Sequence, residues 1–190
     1  MPTVSWKRGA GLGLTLVLGG TAPASAEAPA PAPAVQAARG ADSAFFIARG
    51  KNRNQVHYGV RVGPDCKPEG AQPVHAYWRM LEKGEGVTEP LLGIEGPAYG
   101  LKDSQQVEAL PGGAGWRVRI WLRAHPDRPI DVSVLKEGGR CVTRAAMKMG
   151  DAVAQIDRIF VKDKWPAGVD FVMLSGVGAD GKSVREVIRP

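Results

Sequence analysis

Apolar and polar residues alternate along most of the chain from Asp42 onward, and residues typical of turns interrupt the alternation every 8–12 positions. A period of two indicates strands with one buried face, and regular interruptions are typical of antiparallel sheets. The pattern predicts strands at 44–49, 55–62, 74–81, 98–102, 105–110, 116–124, 130–136, 140–149, 152–161, 169–176 and 183–188. One short helix is predicted at 88–94, with Thr88 as its N-cap. We therefore expect an all-β fold, an antiparallel meander of nine to eleven strands arranged as a barrel or a sandwich.

The turn at 149–152 allows the strands on either side of it to be aligned residue by residue. Its first central residue is glycine, which is typical of a two-residue hairpin turn. This register places Arg144 opposite Asp157. A further turn at 179–182, built around Asp-Gly, joins the last two predicted strands.

A second register follows from a turn predicted at 126–128. It places Arg123 opposite Asp131. It also places Arg117 opposite Glu137. Because opposite charges directly across a ladder stabilise by up to about 1 kcal/mol, the charge pattern supports this register.

The predicted strand at 116–124 separates its side chains into two faces. The face expected toward the core carries Trp116, Val118, Ile120 and Leu122. The opposite face carries Arg117, Arg119, Trp121 and Arg123. A tryptophan among three arginines suits an anionic polymer through stacking and charge, so this face is a candidate binding surface. The alternative is a solvated face with paired arginines, on which the register assigns no acid to Arg119.

The first 26 residues have the features of an export signal. Lys7 and Arg8 precede a weakly apolar stretch at 9–20, and Ala24-Ser25-Ala26 supplies the small residues before a cleavage site. Residues 27–41 are rich in alanine and proline, which favours a disordered linker. We therefore predict a signal peptide at 1–26, a linker at 27–41 and one β domain at 42–190, periplasmic or secreted, with no membrane span.

The charge of the chain limits the kinds of partner that it suggests. The full chain has a formal net charge of +6. The predicted signal holds two of the 25 Lys and Arg and none of the 19 Asp and Glu, so the remaining 164 residues carry +4. This mild excess makes nucleic acid an unexpected partner and allows weak attraction to an anionic envelope polymer.

Cys66 and Cys141 are the two cysteines of the chain. In an oxidising compartment, an isolated pair of cysteines usually forms a disulfide. No histidine is near either residue in the sequence, so neither has the local features of a catalytic thiol. We predict that they are joined to each other, the alternative being two buried thiols.

Several elements of the chain together resemble a known family. The matching residues are Asn52, Asn54, Val56, Tyr58, Tyr77-Trp78, Glu95, Tyr99-Gly100 and the turn Pro126-Asp127-Arg128-Pro129. The combination is similar to a family of exported bacterial domains known as domain of unknown function 4833, over roughly 44–189. The resemblance implies a β-rich single domain, and it implies no activity, substrate or catalytic residue.

The residues of this family-like motif have structural interpretations that we favour over functional ones. Asn52 and Asn54 lie between two predicted strands, where asparagine usually bonds its own backbone or adopts a left-handed conformation. The functional alternative is that they hold a ligand or an ion. Trp78 alternates with apolar residues at the centre of a strand, so we expect it in the core.

No catalytic motif such as a nucleophile elbow or a phosphate-binding loop is present in the sequence. The acids Glu89, Glu95 and Asp103 lie in an irregular segment, where a site with two carboxylates could form. Glu95 with Tyr99 is the best such candidate. Its alternative interpretation is an acid at a helix end beside a core aromatic residue.

The three histidines, His57, His75 and His125, show no zinc-binding spacing. The alternation places His57 on the face opposite its apolar neighbours, so we expect it to be exposed. We expect no metal and no cofactor.

These observations favour a non-catalytic binding or structural role outside the cytoplasm. The first alternative is a small hydrolase that acts on an envelope polymer. The second is a carrier of an apolar ligand. A cleft with two carboxylates would favour the hydrolase, and an apolar cavity would favour the carrier.

Overall fold

The first four strands form an antiparallel series in chain order. The computed structural model describes residues 43–84, 86–164 and 168–190. Its first strands are β1 (Ser43–Arg49), β2 (Gln55–Val60), β3 (Val74–Arg79) and β4 (Thr88–Pro90). Each pairs with the next, so that β2 lies between β1 and β3. The predicted signal peptide and linker lie outside the described residues.

Seven further strands form a second antiparallel series. They are β5 (Gln106–Ala109), β6 (Gly115–Leu122), β7 (His125–Glu137), β8 (Arg140–Met149), β9 (Ala152–Asp163), β10 (Val169–Gly178) and β11 (Ser183–Ile188). Each again pairs with its neighbour in the sequence. The predicted all-β meander is therefore confirmed, with eleven strands.

Strand β9 joins the two series. Its first half pairs with β8, and its second half pairs in parallel with β1, with Ile47 opposite Ile159. The other edge of β9 carries β10. In the described part of the chain, β4 and β5 lie at the two ends of the strand order, so the sheet does not close into a barrel.

The alternating apolar positions of both series face one core. In β6, Val118, Ile120 and Leu122 are buried while the arginines between them are not, as the pattern predicts. Other buried members of the core include Phe45, Val56, Tyr58, Trp78, Ile130, Val132, Val134, Ile156, Ile159 and Leu174. Burial at every second residue over many strands is what stabilises this sheet.

The segment between β4 and β5 differs from the prediction. Residues 88–90 form the edge strand β4 on β3 rather than a helix. Proline, which has no N–H to pair, is tolerated on such an outer strand. A 3₁₀ turn (Gly93–Glu95) then leads into α1 (Gly96–Tyr99), where proline occupies one of the first helical positions. The strand predicted at 98–102 is therefore wrong, and only Leu101 makes an isolated bridge, with Leu122.

The register of the β8–β9 hairpin is confirmed from Met149–Ala152 to Ala145–Ile156. The predicted Arg144–Asp157 pair is wrong. Beyond Ile156, strand β9 leaves β8 and pairs with β1 from Arg158 onward. Arg144 instead donates two hydrogen bonds, of 2.7 and 2.9 Å, to the Glu137 carboxylate on β7.

The register predicted for β6 and β7 is shifted by four residues. The turn is formed by residues 123–124, with Leu122 opposite His125, while residues 126–128 form a bulge within β7. Asp131 consequently lies opposite Arg119, not Arg123. Because the shift is an even number of residues, the predicted faces of the strand remain correct.

The predicted disulfide between Cys66 and Cys141 is confirmed, with 5.3 Å between the two Cα atoms. It ties the loop after β2 to the first residues of β8. Cys66 has a positive φ of 64°, the one such value among the described non-glycine residues. No helix among the described residues has the length and apolar character needed to cross a membrane.

Candidate functional site

A cleft of about 470 Å³ lies beside the turn that joins β1 to β2. Its walls come from the end of β1, that turn, β3, β4 and the segment that follows β4. The lining residues are Arg49, Asn52, Asn54, Trp78, Met80, Glu89, Pro90, Leu92 and Glu95. Four residues of the family-like motif therefore meet here, in a volume within the range of small-molecule sites.

Trp78 contributes to the cleft from the centre of β3. It is 7% exposed, so the prediction that it belongs to the core is confirmed. Its indole Nε1 donates a 2.8 Å hydrogen bond to Oε2 of Glu95. The Tyr99 ring packs edge-on against it, with 5.6 Å between ring centroids. These contacts fix the orientation of the indole.

Glu95 ends the 3₁₀ turn that follows β4. Its Oε2 also accepts a 2.9 Å hydrogen bond from the backbone N–H of Leu92. Both hydrogen bonds therefore use the same oxygen, and Oε1 has no hydrogen-bond donor among the described residues. The two hydrogen bonds fix the position of the carboxylate.

Asn54 connects two turns at the wall of the cleft. It is buried, and its Oδ1 accepts a 3.1 Å hydrogen bond from the backbone N–H of Glu82. Its Nδ2 lies 3.4 Å from Oε2 of the same glutamate. The prediction that Asn54 closes its own turn is therefore wrong, because it reaches the β3–β4 turn instead. Neither Asn54 nor Asn52 has the left-handed backbone conformation considered for them.

Arg49 and Asn52 each contribute a buried polar atom that has no hydrogen-bonding partner among the described residues. The atoms are Nε of Arg49 and Oδ1 of Asn52. An Nη atom of Arg49 lies 3.5 Å from the Asp163 carboxylate, and its guanidinium lies 5.8 Å from the centre of the Tyr99 ring. The charge of Arg49 is thus partly compensated, while its Nε–H donor is not used.

Three further motif residues, Tyr58, Tyr99 and Gly100, pack behind the residues that line the cleft. The Tyr58 hydroxyl is fully buried and donates a 2.7 Å hydrogen bond to the Tyr99 carbonyl. Burial raises the pKa of Tyr58 far above its usual range, and it also raises the pKa of Tyr99. A Cβ at Gly100 would overlap the Gly96 carbonyl, which explains glycine there. Tyr58, Tyr99 and Gly100 thus contribute hydrogen bonds and close packing beside the cleft, and their purely structural role stays a prediction.

Arg49, Met80 and Leu92 are site residues that the sequence analysis missed. Arg49 lies three residues before Asn52, within the stretch that resembles the known family. Its position at the end of β1, next to the motif, is the signal that could have identified it. Met80 follows β3 directly, Leu92 lies two residues after the end of β4, and neither has a distinguishing sequence context.

The candidate surface on β6 has an acid beside each arginine. Arg119 donates hydrogen bonds of 2.7 and 2.9 Å to Asp131, so the expectation that it lacks an acid is wrong. The bonding raises the pKa of Arg119. The flanking pairs are Arg117 with Glu108 at 2.9 Å and Arg123 with Asp103 at 3.1 Å. Arg117, Arg119 and Trp121 alternate with the buried residues of β6 and share one face, whereas Arg123 lies in the turn that follows the strand. The charge of this surface is largely compensated by the three acids.

His57 is buried, which contradicts the prediction that it is exposed. Its two ring nitrogens lie 2.8 Å from the Ser43 hydroxyl and 2.9 Å from Oε1 of Gln55. The ring lies between those of Phe46 and Tyr77. Burial, together with the nearby Arg79, lowers the pKa of His57 to about 4. Both faces of β2 are buried, and on the face of His57 the cover comes from the rings that β1 and β3 supply.

Comparison with known proteins identifies the family. No curated protein and no solved structure is significantly similar to the chain. The model of one protein family matches residues 45–187, which is most of the chain and includes every lining residue of the cleft. The chain therefore belongs to the family described as Domain of unknown function (DUF4833).

Proposed function

We propose that this protein is an exported, non-catalytic binding domain whose ligand occupies the cleft beside the β1–β2 turn. The observation that carries the proposal is the cleft of about 470 Å³, in which Asn52, Asn54, Trp78 and Glu95 of the family-like motif meet. A concave site of this volume, with a few polar groups beside apolar side chains, has the character of a small-molecule site.

The surroundings of these polar groups favour a preformed site. Trp78 and Leu92 hold Glu95, and Glu82 holds Asn54, through hydrogen bonds that bridge separate segments of the chain. A rigid wall lowers the ordering cost of binding. These hydrogen bonds therefore support a cleft whose walls at Glu95 and Asn54 are formed before a ligand binds.

Two features support a location outside the cytoplasm. One is the sequence of residues 7–26, with its basic pair, apolar stretch and small residues before a cleavage site. The other is the Cys66–Cys141 disulfide, since disulfides persist mainly in oxidising compartments. The periplasm and the cell exterior both fit this proposal.

Native mass spectrometry of protein isolated from its own extracytoplasmic extract tests the proposal. We expect a bound species on the wild type that is lost in Asn52→Ala and retained in Trp121→Ala, which alters the β6 face instead. If the adduct is lost in Trp121→Ala and retained in Asn52→Ala, the cleft is not the site. That result would instead support the β6 face, with an anionic envelope polymer as its partner.

A second candidate function is a hydrolase that acts on an envelope polymer. The observation that favours it is that Glu89 and Glu95 both line the cleft, as a site with two carboxylates requires. Glu89, however, lies 2.6 Å from the Lys83 ammonium, and Glu95 is held by Trp78. Release of reducing sugar ends from cell-wall polysaccharide, lost in both Glu89→Gln and Glu95→Gln, would establish this function in place of the first.

A further inference from the structure

The outer face of the sheet, which points away from the core, changes character between β8 and β9. On β6 it carries Arg117 and Arg119, and each of these is paired with an acid. On β9, β10 and β11 it carries a strip of apolar residues and three cations. The apolar residues are Phe160, Phe171, Met173 and Val187, the cations are Arg158, Lys162 and Arg185, and we call this set the β9–β11 face.

Strand register places the apolar residues of the β9–β11 face side by side. Met173 lies opposite Phe160 of β9 and opposite Val187 of β11. Phe171 packs against Phe160, with 6.1 Å between the ring centroids. The residues on either side of Met173 in β10 are buried, so Met173 itself points away from the core. Val187 is 47% exposed and the other three residues are partly exposed, so the strip is contiguous and open to solvent.

The three cations lie at the border of this strip. Arg158 and Lys162 flank Phe160 on the same side of β9, one before it and one after it. Arg185 lies opposite Ser175, which in turn lies opposite Arg158. All three cationic side chains are exposed, and no described residue forms an ion pair or a hydrogen bond with them. Their charges are therefore uncompensated, in contrast to those of the arginines on β6.

The acids of these strands do not belong to the β9–β11 face. Glu186 lies opposite the buried Leu174, on the core side of β11. Asp163 points to the other side of β9, where it contacts an arginine at the end of β1. Asp157 and Asp170 lie at the two places where the register of β9 and β10 shifts, so they occupy no aligned position on this face. The aligned positions of the face therefore carry positive charge only.

The apolar and cationic groups together indicate the kind of partner. Contiguous exposed apolar residues mark an interaction surface, and uncompensated cations attract a partner of negative charge. A soluble anionic polymer would use the cations, but it would gain little from a methionine and a valine. An anionic lipid surface uses both kinds of group, because it offers charged head groups above an apolar layer.

We propose that the β9–β11 face docks the protein on the surface of an anionic lipid bilayer. Arg158, Lys162 and Arg185 contact the lipid phosphates. The apolar strip around Met173 and Val187 enters the boundary between the head groups and the acyl chains. This role goes beyond the binding function proposed for the cleft, since no residue that lines the cleft belongs to this face.

The test is co-sedimentation of the purified protein with vesicles made of equal parts of phosphatidylcholine and phosphatidylglycerol, at low and high salt. We expect the wild type to bind these vesicles less tightly as salt is raised, and not to bind vesicles of phosphatidylcholine alone. Arg158→Gln/Arg185→Gln should bind about thirtyfold more weakly, because each cation contributes near an anionic surface. Lys136→Gln/Arg140→Gln removes the same charge from exposed positions of the β7–β8 hairpin and should bind as the wild type does.

A change in the apolar strip separates insertion from charge. Val187→Asn lies at an exposed position of β11 and leaves the net charge unchanged. It should weaken binding severalfold at both salt concentrations, because less apolar surface is buried in the bilayer. Unchanged binding of Val187→Asn would contradict the insertion of the strip.

The remaining outcomes decide between a lipid surface and other anionic partners. An equal loss of vesicle binding in the two double variants would show that only net charge matters and would overturn the proposal. Binding to heparin but not to the mixed vesicles would identify a soluble polyanion as the partner and would overturn it as well. Circular dichroism of each variant verifies that the comparison is made between folded proteins.

Discussion

At the scale of single residues, burial rather than sequence pattern determines the chemistry of His57. Alternation places its side chain opposite the main core, yet it is buried between the rings of Phe46 and Tyr77. Alternation shows on which face of a strand a side chain lies. It does not show whether neighbouring strands supply aromatic residues that cover that face. A prediction of exposure from alternation alone therefore fails on an inner strand.

His57 makes stability depend on pH. Its pKa is about 4 in the folded protein and about 6.5 when unfolded, so the unfolded chain binds the proton first as pH falls. Above pH 6.5, titration of His57 should therefore leave the free energy of unfolding unchanged. Between pH 6.5 and 4, the same titration should lower it by about 3 kcal/mol.

Urea unfolding at a series of pH values measures this dependence. His57→Gln cannot titrate and should lose most of the slope between pH 6.5 and 4, whereas His125→Gln, at a less buried position, should keep it. Equal slopes for the wild type and His57→Gln would show that His57 is not the group responsible.

Trp78 should contribute strongly to stability, because its burial and its bond to Glu95 act together. Trp78→Ala should lower the free energy of unfolding by roughly 3–5 kcal/mol. Trp78→Phe keeps most of the apolar volume and should lose less. Chemical denaturation of the two variants checks the order, and a loss below 1 kcal/mol for Trp78→Ala would contradict the core assignment.

At the scale of elements, hydrophobic alternation predicts strands well and their partners less well. The faces of β6 are correct because alternation depends only on parity. Its register is wrong by four residues, because the Pro-Asp-Arg sequence at 126–128 forms a bulge in β7 rather than the turn. Turn chemistry therefore does not distinguish a hairpin loop from a bulge that follows it directly.

The helix predicted at 88–94 failed for a related reason. Thr88 and Pro90 are as compatible with the start of a helix as with an edge strand. The choice depends on whether β3 has a free edge, and the local sequence does not contain that information. The parallel pairing of β1 with β9 is likewise non-local, since the two strands are separated by more than a hundred residues.

The corrected β6–β7 register makes a specific prediction about charge pairs. Arg119 and Asp131 should show a coupling free energy of up to about 1 kcal/mol, because the pair is bidentate but partly exposed. Arg123 and Asp131 should show none. Double-mutant cycles with alanine measure both values, and coupling confined to the Arg123 pair would restore the shifted register.

At the scale of the whole molecule, the Cys66–Cys141 disulfide connects the loop after β2 to β8. Its ends are 75 residues apart in the sequence, so the chain-entropy model assigns it roughly 4–5 kcal/mol. The Cys66→Ser/Cys141→Ser double variant should be less stable by about that amount. Urea unfolding of the oxidised wild type and the double variant measures the difference, and equal stability would show that the bridge contributes nothing to the fold.

The site could be predicted from sequence only in part. Asn52, Asn54, Trp78 and Glu95 were identified because they belong to one recognisable motif. Their convergence on a cleft depends on the β1–β2 turn meeting the segment after β4, which is set by sheet topology. Alternation does not reveal contacts of that kind, so the same residues were interpreted as structural.

The central claim is that Asn52 is present for a ligand, whereas Asn54, in the same turn, is present for the fold. The most direct test is the free energy of unfolding of ligand-free Asn52→Ala and Asn54→Ala, measured side by side in urea. Asn54→Ala breaks the bond to Glu82 and should lose about 1–3 kcal/mol. Asn52→Ala removes an unpartnered acceptor and should be as stable as the wild type, or more stable by up to about 1 kcal/mol. An equal loss in both variants would show that Asn52 is structural and would contradict the proposed binding site.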